Sequence, residues 1–400
     1  MGRRAGHPWN AFIEGDNLEV LARVTAPVDL VYIDPPYNTG NDFAYRDDFR
    51  HGEARSTRHQ AWVAMMRPRL EAARGLMSER AAIFVSIDDN EAAHLRLLMD
   101  EVFGEPGFVA QVVVNLNAKG RQLGRGFATS HEYLLVYVKD PRRTALDASS
   151  PDAVDERDFP LTDPATGRRY RRLPLRNTNK KFNPTTARTL HFTLWGDPVT
   201  GRVGTSPFAG AQEIGPVFGD GRPAVWRWSR PLIEQRPEDL VCRTVNGRAG
   251  PRVDVFQKDW LVRDTPGGRR KKLRTIWLAE EIGTTDTAVA ELKATVGHVF
   301  ESPKPTGLVR RILATMPDDV RVLDFFAGSG TTGHAVALQN AEDGGSRRCL
   351  SVNSGEPTRE GSNARAAGLL SVADITRARL RAVAETVGGG LLEDPPQWPG

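Results

Sequence analysis

Four consecutive residues, Asp34, Pro35, Pro36 and Tyr37, combine groups that could do chemistry on a flat, amine-bearing molecule. They follow the apolar run 28–33, which is typical of a buried parallel strand, and ligands of open α/β sheets bind beyond the carboxyl ends of such strands. Neither proline has an N–H, so the local carbonyls lack turn donors and remain available as acceptors. These carbonyls and the Asp carboxylate could accept the two protons of an exocyclic amine while the Tyr ring stacks on the base. The alternative is a turn that merely ends the strand.

A second segment combines an acidic residue with two glycines where a strand meets a helix. The strand is predicted at 320–325 and the helix at 329–338. Glycines at such a turn allow a tight bend through which the backbone can approach a nucleoside closely. The candidate binding residues are Asp324, Phe325, Phe326, Ala327, Gly328, Ser329, Gly330 and Thr331.

Two further segments could complete a cofactor site. Phe300, Ser302 and Lys304 precede a helix predicted at 307–316 and could cap a bound cofactor, although they could also be only the turn before that helix. Glu356 follows a strand predicted at 348–352, at the place where an acidic residue binds ribose hydroxyls in dinucleotide-type folds.

Alternating strands and helices are predicted to position these residues. Strands are predicted at 81–87, 109–115 and 133–138, and a helix at 60–77. Asp88–Glu91 has the spacing of a capping box, which predicts a helix from there to Phe103 and a structural role for Asp88. The pattern is that of βα units interrupted once and then resumed.

The interruption, residues 141–296, is rich in Pro, Gly, Arg and Trp, and its periodicity fades. This composition predicts a loop-rich insertion with short strands near 190–195 and 225–228. The segment has 27 Lys+Arg against 19 Asp+Glu, a net charge of +8, whereas the whole chain carries +4. An excess of this kind favours contact with a polyanion, the alternative being a solvated basic face.

Cations interleaved with amides suit DNA, because Arg and Asn read base edges and Lys mostly holds phosphates. Trp226 and Trp228 alternate as in a strand and are predicted to pack in the core or at its rim rather than to stack on bases. The candidate DNA-binding residues are Lys119, Arg121, Arg125, Arg176, Asn177, Lys180, Lys181, Arg227, Arg230, Arg269, Arg270, Lys271 and Lys272.

Composition also excludes several classes of protein. Cys242 and Cys349 are the only cysteines and lie far apart in sequence, so neither a disulfide framework nor a zinc cluster is predicted, and we expect no metal. The chain has no run of about 18 apolar residues, and residues 1–10 are too short and polar for a signal peptide. We therefore expect a cytoplasmic protein without membrane contact.

Taken together, the motifs resemble those of DNA N6-adenine methyltransferases of the permuted type, in which the catalytic motif precedes the cofactor motif. The resemblance is greatest to the modification subunits of type III restriction systems. The matching stretches are 12–18, 32–45, 84–91, 131–139, 174–184, 300–305 and 323–333.

This resemblance implies a doubly wound, Rossmann-like α/β sheet with an inserted target-recognition region, dividing the chain into segments 1–140, 141–296 and 297–400. It implies S-adenosylmethionine as methyl donor, and a flipped-out adenine in double-stranded DNA as the target of Asp34 to Tyr37. Cofactor contacts are implied for Asp16, Asn17 and Asp34 besides the residues named above. Family members form homodimers and sometimes bind a helicase-nuclease restriction subunit. Methylation of cytosine N4 or of RNA, and a catalytically inactive recognition subunit, are the alternatives.

Overall fold

The computed structural model describes residues 8–40, 55–117, 120, 126–151, 156–247, 250–262 and 270–395. The chain divides into a larger unit, residues 1–150 and 272–400, and a smaller unit, residues 151–271. The strands are β1 (Asn10–Glu14), β2 (Val28–Ile33), β3 (Met77–Ile87), β4 (Phe108–Val114), β5 (Glu132–Val138), β6 (Ser149–Pro151), β7 (Leu161–Thr162), β8 (Arg169–Pro174), β9 (Leu194–Gly196), β10 (Val203–Gly204), β11 (Gln212–Ile214), β12 (Leu240–Gly247), β13 (Gly250–Trp260), β14 (Arg270–Lys272), β15 (Ile276–Trp277), β16 (Arg321–Asp324), β17 (Arg348–Asn353) and β18 (Leu391–Glu393). The α-helices are α1 (Asn17–Leu21), α2 (Arg55–Leu76), α3 (Ala92–Phe103), α4 (Arg230–Gln235), α5 (Ala279–Ile282), α6 (Thr285–Val296), α7 (Thr306–Leu313), α8 (Thr331–Asp343), α9 (Asn363–Ala366) and α10 (Val372–Thr386).

A nine-stranded sheet forms the centre of the larger unit, in the order β15-β4-β5-β3-β2-β16-β17-β1-β18. Neighbouring strands are parallel, except that β5 runs antiparallel to both β3 and β4. The fold is therefore the α/β class expected from the sequence.

Strand β2 shows why the sheet is doubly wound. Its side chains alternate between faces, so Val31 and Ile33 enter a core built with α2 and α3, whereas Leu30 and Tyr32 enter a second core built with α7 and α8. A strand covered by helices on both faces reads as a nearly continuous apolar run. That is the pattern from which this strand was predicted.

The capping box predicted at Asp88–Glu91 is wrong. Helix α3 begins at Ala92, and the side chain of its N-cap residue, Glu91, makes no capping hydrogen bond. Asp88 Oδ1 instead accepts from the backbone N–H of Asn90, 2.9 Å away. The Glu91 carboxylate is buried and accepts from Asn38 Nδ2 instead. The motif spacing is present, but tertiary contacts recruit its acidic side chains.

Strands β7 to β13 of the smaller unit form two antiparallel sheets among the described residues, β12-β13-β8-β7 and β10-β9-β11. The strand predicted at 225–228 is wrong: Trp226 makes an isolated bridge to Arg176 and no strand forms there. Trp226 and Trp228 pack in the core of this unit, which confirms their predicted structural role.

The smaller unit is shorter than the predicted insertion 141–296 because residues 141–150 and 272–296 belong to the larger unit. Strand β15 adds to the edge of the large sheet by pairing with β4, and Leu292 of α6 packs in a core with Phe300 and Ile375. None of the helices among the described residues is long and apolar enough to cross a membrane.

Candidate active site

The two motifs that carry chemistry meet because β2 and β16 are neighbours in the sheet. Leu30 pairs with Val322 and Val31 with Leu323, so both parallel strands end at the same edge. Asp34 follows the last residue of β2, and Asp324 is the last residue of β16. Ligands of such sheets bind beyond this edge.

The segment Asp34 to Tyr37 is held by contacts from two sides. The Tyr37 hydroxyl donates to Asp34 Oδ1 at 2.8 Å, and Lys304 Nζ lies 3.1 Å from the same oxygen. From α2, the buried indole of Trp62 donates to the Pro36 carbonyl at 2.6 Å. The sequence-based expectation that the local carbonyls remain available is therefore wrong for Pro36, because a residue distant in sequence supplies the missing donor.

Glu132, the first residue of β5, is a site residue that the sequence analysis did not select. Its Oε2 accepts from the Tyr37 hydroxyl at 3.2 Å, and its Oε1 lies 3.3 Å from Lys304 Nζ. Its side chain is only 13% exposed. A lone Glu at the start of a predicted strand has no local signature; only the stretch 131–139, which matches the family that the sequence resembles, includes it.

Burial and mutual charge set the protonation of this cluster. Burial and then the Asp34 charge raise the pKa of Tyr37 well above its usual value. Burial alone would lower the pKa of Lys304, but the carboxylates of Asp34 and Glu132 outweigh it and raise that pKa. Burial raises the pKa of Glu132 to about 7, although Lys304 opposes the shift. Tyr37 and Lys304 are therefore protonated near neutral pH, whereas Glu132 is poised to gain or lose a proton.

The cluster faces a cavity, called here the catalytic cavity. Polar and charged side chains line it together with Leu116, Phe300 and Pro303. The polar and charged members are Asp34, Tyr37, Thr39, Asp88, Asn117, Thr129, Ser130, His131, Glu132, Thr285, Glu301, Ser302 and Lys304. Such a cavity offers both acceptors and donors to a planar polar ligand.

The loop after β16 is organised by the Asp324 carboxylate. Its Oδ1 accepts from the backbone N–H of Phe326 at 3.0 Å, and its Oδ2 accepts from the Thr332 hydroxyl at 2.5 Å. Gly328 and Gly330 have φ values of 51° and 80°, which non-glycine residues adopt only with strain. Burial raises the pKa of Asp324 to about 7, and the bonds from Thr332 and Phe326 only partly offset it.

A second cavity, the glycine-loop cavity, lies along this loop. It is lined by Tyr32, Asp324, Phe326, Ala327, Gly328, Ser329, Thr331 and Thr332. It shares five further residues, Asp34, Phe300, Ser302, Pro303 and Lys304, with the catalytic cavity. Two ligands bound in the two cavities would therefore meet at Asp34 and Lys304.

Five predicted cofactor residues lie outside the lining of both cavities. Asp16 caps α1 by accepting from the backbone N–H of Leu18, and its carboxylate pairs with Arg69. Asn17 donates to the Phe325 carbonyl at 2.9 Å, so it supports the glycine loop from behind. Glu356 lies in the loop after β17. Phe325 and Gly330 likewise belong to the loop without lining the cavity.

The predicted DNA-binding residues differ in their contacts. Arg176 pairs with the buried carboxylate of Asp254 at 2.9 Å, and Lys180 pairs with Asp220 at 3.0 Å. Asn177 Oδ1 accepts from the backbone N–H of Asn179. The residues with exposed side chains are Lys180, Lys181, Arg227, Arg230, Lys271 and Lys272. Lys119, Arg121, Arg125, Arg269 and the side chain of Arg270 are outside the described part of the chain.

His59, Glu91 and His94 could in principle hold a metal ion, because their ligand atoms lie within 4.8 Å of one another. The two imidazole rings, however, stack with centroids 4.3 Å apart and an interplanar angle of 18°. Both Nδ1 atoms face the buried Glu91 carboxylate, that of His59 at 2.7 Å from Oε1 and that of His94 at 3.0 Å from Oε2. We assign the group to the packing of α2 against α3.

The chain matches a family model, curated proteins and solved structures. The family model N6_N4_Mtase, described as a DNA methylase, matches residues 28–346. The type II methyltransferase M.KpnI of Klebsiella pneumoniae is 33% identical over 382 residues, covering 93% of this chain and 87% of that protein. The type III restriction-modification enzyme EcoPI Mod subunit of Escherichia phage P1 is 33% identical over 408 residues, covering 94% of this chain but 62% of that subunit. Among solved structures, the M1.HpyAVI complex with SAM has a TM-score of 0.36 and 11% identity, covering 94% of this chain and 98% of that one.

Proposed function

We propose that this chain methylates the N6 amine of an adenine at a specific DNA sequence. The chain belongs to the N6_N4_Mtase family of DNA methylases. The chain is a DNA methyltransferase of the restriction-modification type, and S-adenosylmethionine is its methyl donor. The observation that carries the assignment of an exocyclic amine as the target is the placement of Asp34, which lines both cavities.

In this proposal Asp34 and the Pro35 carbonyl accept hydrogen bonds from N6, which draws the nitrogen lone pair out of conjugation with the ring. The adenine leaves the duplex to reach the site, which costs a few kcal/mol. Stacking on the Tyr37 ring returns about 1 to 3 kcal/mol. Catalysis then rests on positioning and on a fixed carboxylate.

The residues along the glycine-loop cavity fit the donor. Backbone at Gly328 lets a nucleoside approach closely, and Phe300, Ser302 and Lys304 close the side that faces Asp34. S-adenosylmethionine supplies an electrophilic methyl group when it is bound. We propose that Asp324 to Thr331 hold it, with Asn17 bracing Phe325.

Asp34→Ala is expected to abolish methyl transfer and leave donor binding largely intact, because Asp34 accepts from the reacting amine whereas residues 324–332 supply most of the lining of the donor cavity. The test incubates labelled S-adenosylmethionine with DNA, followed by nucleoside analysis, and measures donor binding by calorimetry. Asp319→Ala, at an exposed position, is the matched control. Wild-type transfer by Asp34→Ala would refute the assignment.

The same nucleoside analysis distinguishes the alternatives. N4-methylcytosine in the product would replace adenine as the target, whereas methylation of RNA alone would change the substrate. Donor binding without any transfer would indicate a recognition subunit. Single-molecule sequencing of the methylated DNA would locate the modified site.

We assign target recognition to the smaller unit and to the basic run at its C-terminal end, Arg269 to Lys272. In support, residues 151–271 hold 22 Lys+Arg against 14 Asp+Glu, so the positive excess of the chain lies in this unit. Pairing with a restriction subunit, homodimer formation and a cytoplasmic location are proposed on the likeness to the EcoPI Mod subunit. Light scattering of the purified chain tests the homodimer.

A further inference from the structure

Glu132 is a second buried carboxylate that faces the catalytic cavity, besides Asp34. It lies on β5, not on the segment Asp34 to Tyr37, yet both of its oxygens face that segment's partners. Tyr37 contacts Glu132 and Asp34 through one hydroxyl, and Lys304 contacts both through one ammonium group. Glu132 and Asp34 therefore flank the same two donors.

We propose that Glu132 is the general base that takes the proton released from adenine N6 during methyl transfer, an inference that rests on the proposed function. As the N6–C bond forms, the bond between the methyl carbon and sulfur breaks and its electron pair stays on sulfur. One N6–H bond then breaks, its electron pair stays on nitrogen, and the proton moves to a Glu132 oxygen. The enzyme ends with neutral Glu132, which returns its proton to solvent after product release.

The neighbouring groups are poorly suited to this role. Lys304 and Tyr37 are protonated near neutral pH and can only donate. Asp34 and Glu132 both accept from these two donors, but in the proposed complex Asp34 also holds N6 through a hydrogen bond and is therefore committed to positioning the amine. Glu132 has a pKa of about 7, close to the pH at which the enzyme would work. A base with such a pKa is partly ionised at neutral pH and still binds a proton readily.

The titration of Glu132 depends on the charges that face it. Burial raises its pKa, Lys304 lowers it, and Asp34 raises it. The other titratable groups around it are Tyr32 on β2, Tyr37 after β2, Asp88 after β3, and His131 and Glu301 in the cavity lining. Because the base must be ionised, the rate is expected to fall as pH decreases below about 7.

The test compares wild type, Glu132→Gln and Glu132→Asp in single-turnover methyl transfer over a range of pH. Glu132→Gln keeps groups that can bond to Tyr37 and Lys304 but cannot accept the proton. It is expected to lower the transfer rate about 10²-fold or more, to change the KM for DNA and donor affinity little, and to remove the rise of rate through neutral pH. Glu132→Asp should restore part of the rate together with the pH dependence.

Glu385→Gln, at an exposed position on α10, is the control for the loss of one carboxylate. Difference infrared spectra of wild type minus Glu132→Gln, without substrate, should show a carboxyl group that titrates near pH 7. If Glu132→Gln lowered the transfer rate but kept its pH dependence, or weakened only substrate binding, Glu132 would have a positioning role and the inference would be overturned.

Two results separate this inference from the proposed function. Active wild type with an equally active Glu132→Gln refutes only the role of Glu132. Wild type that transfers no methyl group to DNA refutes both. If Glu132→Gln does not fold, the kcat/KM profiles of wild type and Glu132→Asp decide. A midpoint that moves between the two proteins supports the inference, whereas a flat profile, or a midpoint that is the same in both, overturns it, because Asp324 also has a pKa of about 7.

Discussion

At the scale of single residues, the site contains two carboxyl groups whose ionised forms are disfavoured by burial. Asp324 and Glu132 are both buried, and burial raises the pKa of each to about 7. A carboxyl whose pKa is higher in the folded than in the unfolded state favours folding while it is protonated. That stabilisation is complete below the unfolded pKa, near 3.8 for Asp324, and is lost as pH rises through 7. The site is thus expected to be stabilised at acidic pH.

Asp324→Asn is therefore expected to flatten the loss of stability between about pH 4 and 7. The shift of Asp324 from 3.8 to about 7 corresponds to about 4 kcal/mol at most. Urea unfolding at pH 5 and at pH 8 measures the effect, as the difference from wild type. Exposed Asp319→Asn should change neither value. An Asp324→Asn protein that loses as much stability with rising pH as wild type would contradict the shift.

At the scale of elements, the sequence predicted the sheet strands that both layers of helices cover, because such strands have distinctive apolar runs. β2 and β5 were predicted within one residue, whereas α2 begins five residues before the predicted start and the capping box before α3 is absent. Element ends depend on side chains recruited from elsewhere in the fold. Glu132 and Trp62 were missed as site residues for the same reason: their partners are distant in sequence and no local spacing marks them.

Helix α2 supports the catalytic segment through Trp62, whose buried indole N–H bonds the Pro36 carbonyl. Trp62→Phe is expected to cost about 1 to 3 kcal/mol of stability because a buried carbonyl loses its donor. It should also lower kcat roughly tenfold to a hundredfold through misplacement of Asp34, with donor affinity unchanged. Thermal unfolding, steady-state kinetics and calorimetry measure these three quantities.

Trp226→Phe provides the matched control, since Trp226 is equally buried and its indole donates to the Phe192 carbonyl at 2.7 Å in the smaller unit. It should cost similar stability but leave kcat at the wild-type value. If Trp62→Phe changed only stability, α2 would be a scaffold without a role in placing the catalytic segment.

At the scale of the whole molecule, the proposed catalytic residues lie in the larger unit and the excess of positive charge lies in the smaller unit. The sheet of the larger unit brings together motifs almost three hundred residues apart, through the pairing of β2 with β16. No local pattern shows that pairing, so the sequence predicted it only through its family resemblance. The remaining residues of the chain, outside 151–271, carry 32 Lys+Arg against 36 Asp+Glu, so a polyanion is attracted to the smaller unit.

Neutralising the basic run by replacing Arg269, Arg270, Lys271 and Lys272 with Gln is expected to weaken DNA binding uniformly across sequences. Each lost phosphate contact should reduce the slope of log K against log salt by about 0.9, because fewer counterions are released on binding. Fluorescence anisotropy with matched and scrambled DNA, at several salt concentrations, measures both effects. Exposed Arg23→Gln with Lys293→Gln, in the larger unit, is the control and should leave the slope unchanged. A variant that methylates a different sequence would show instead that this run reads bases, because phosphate contacts carry no sequence information.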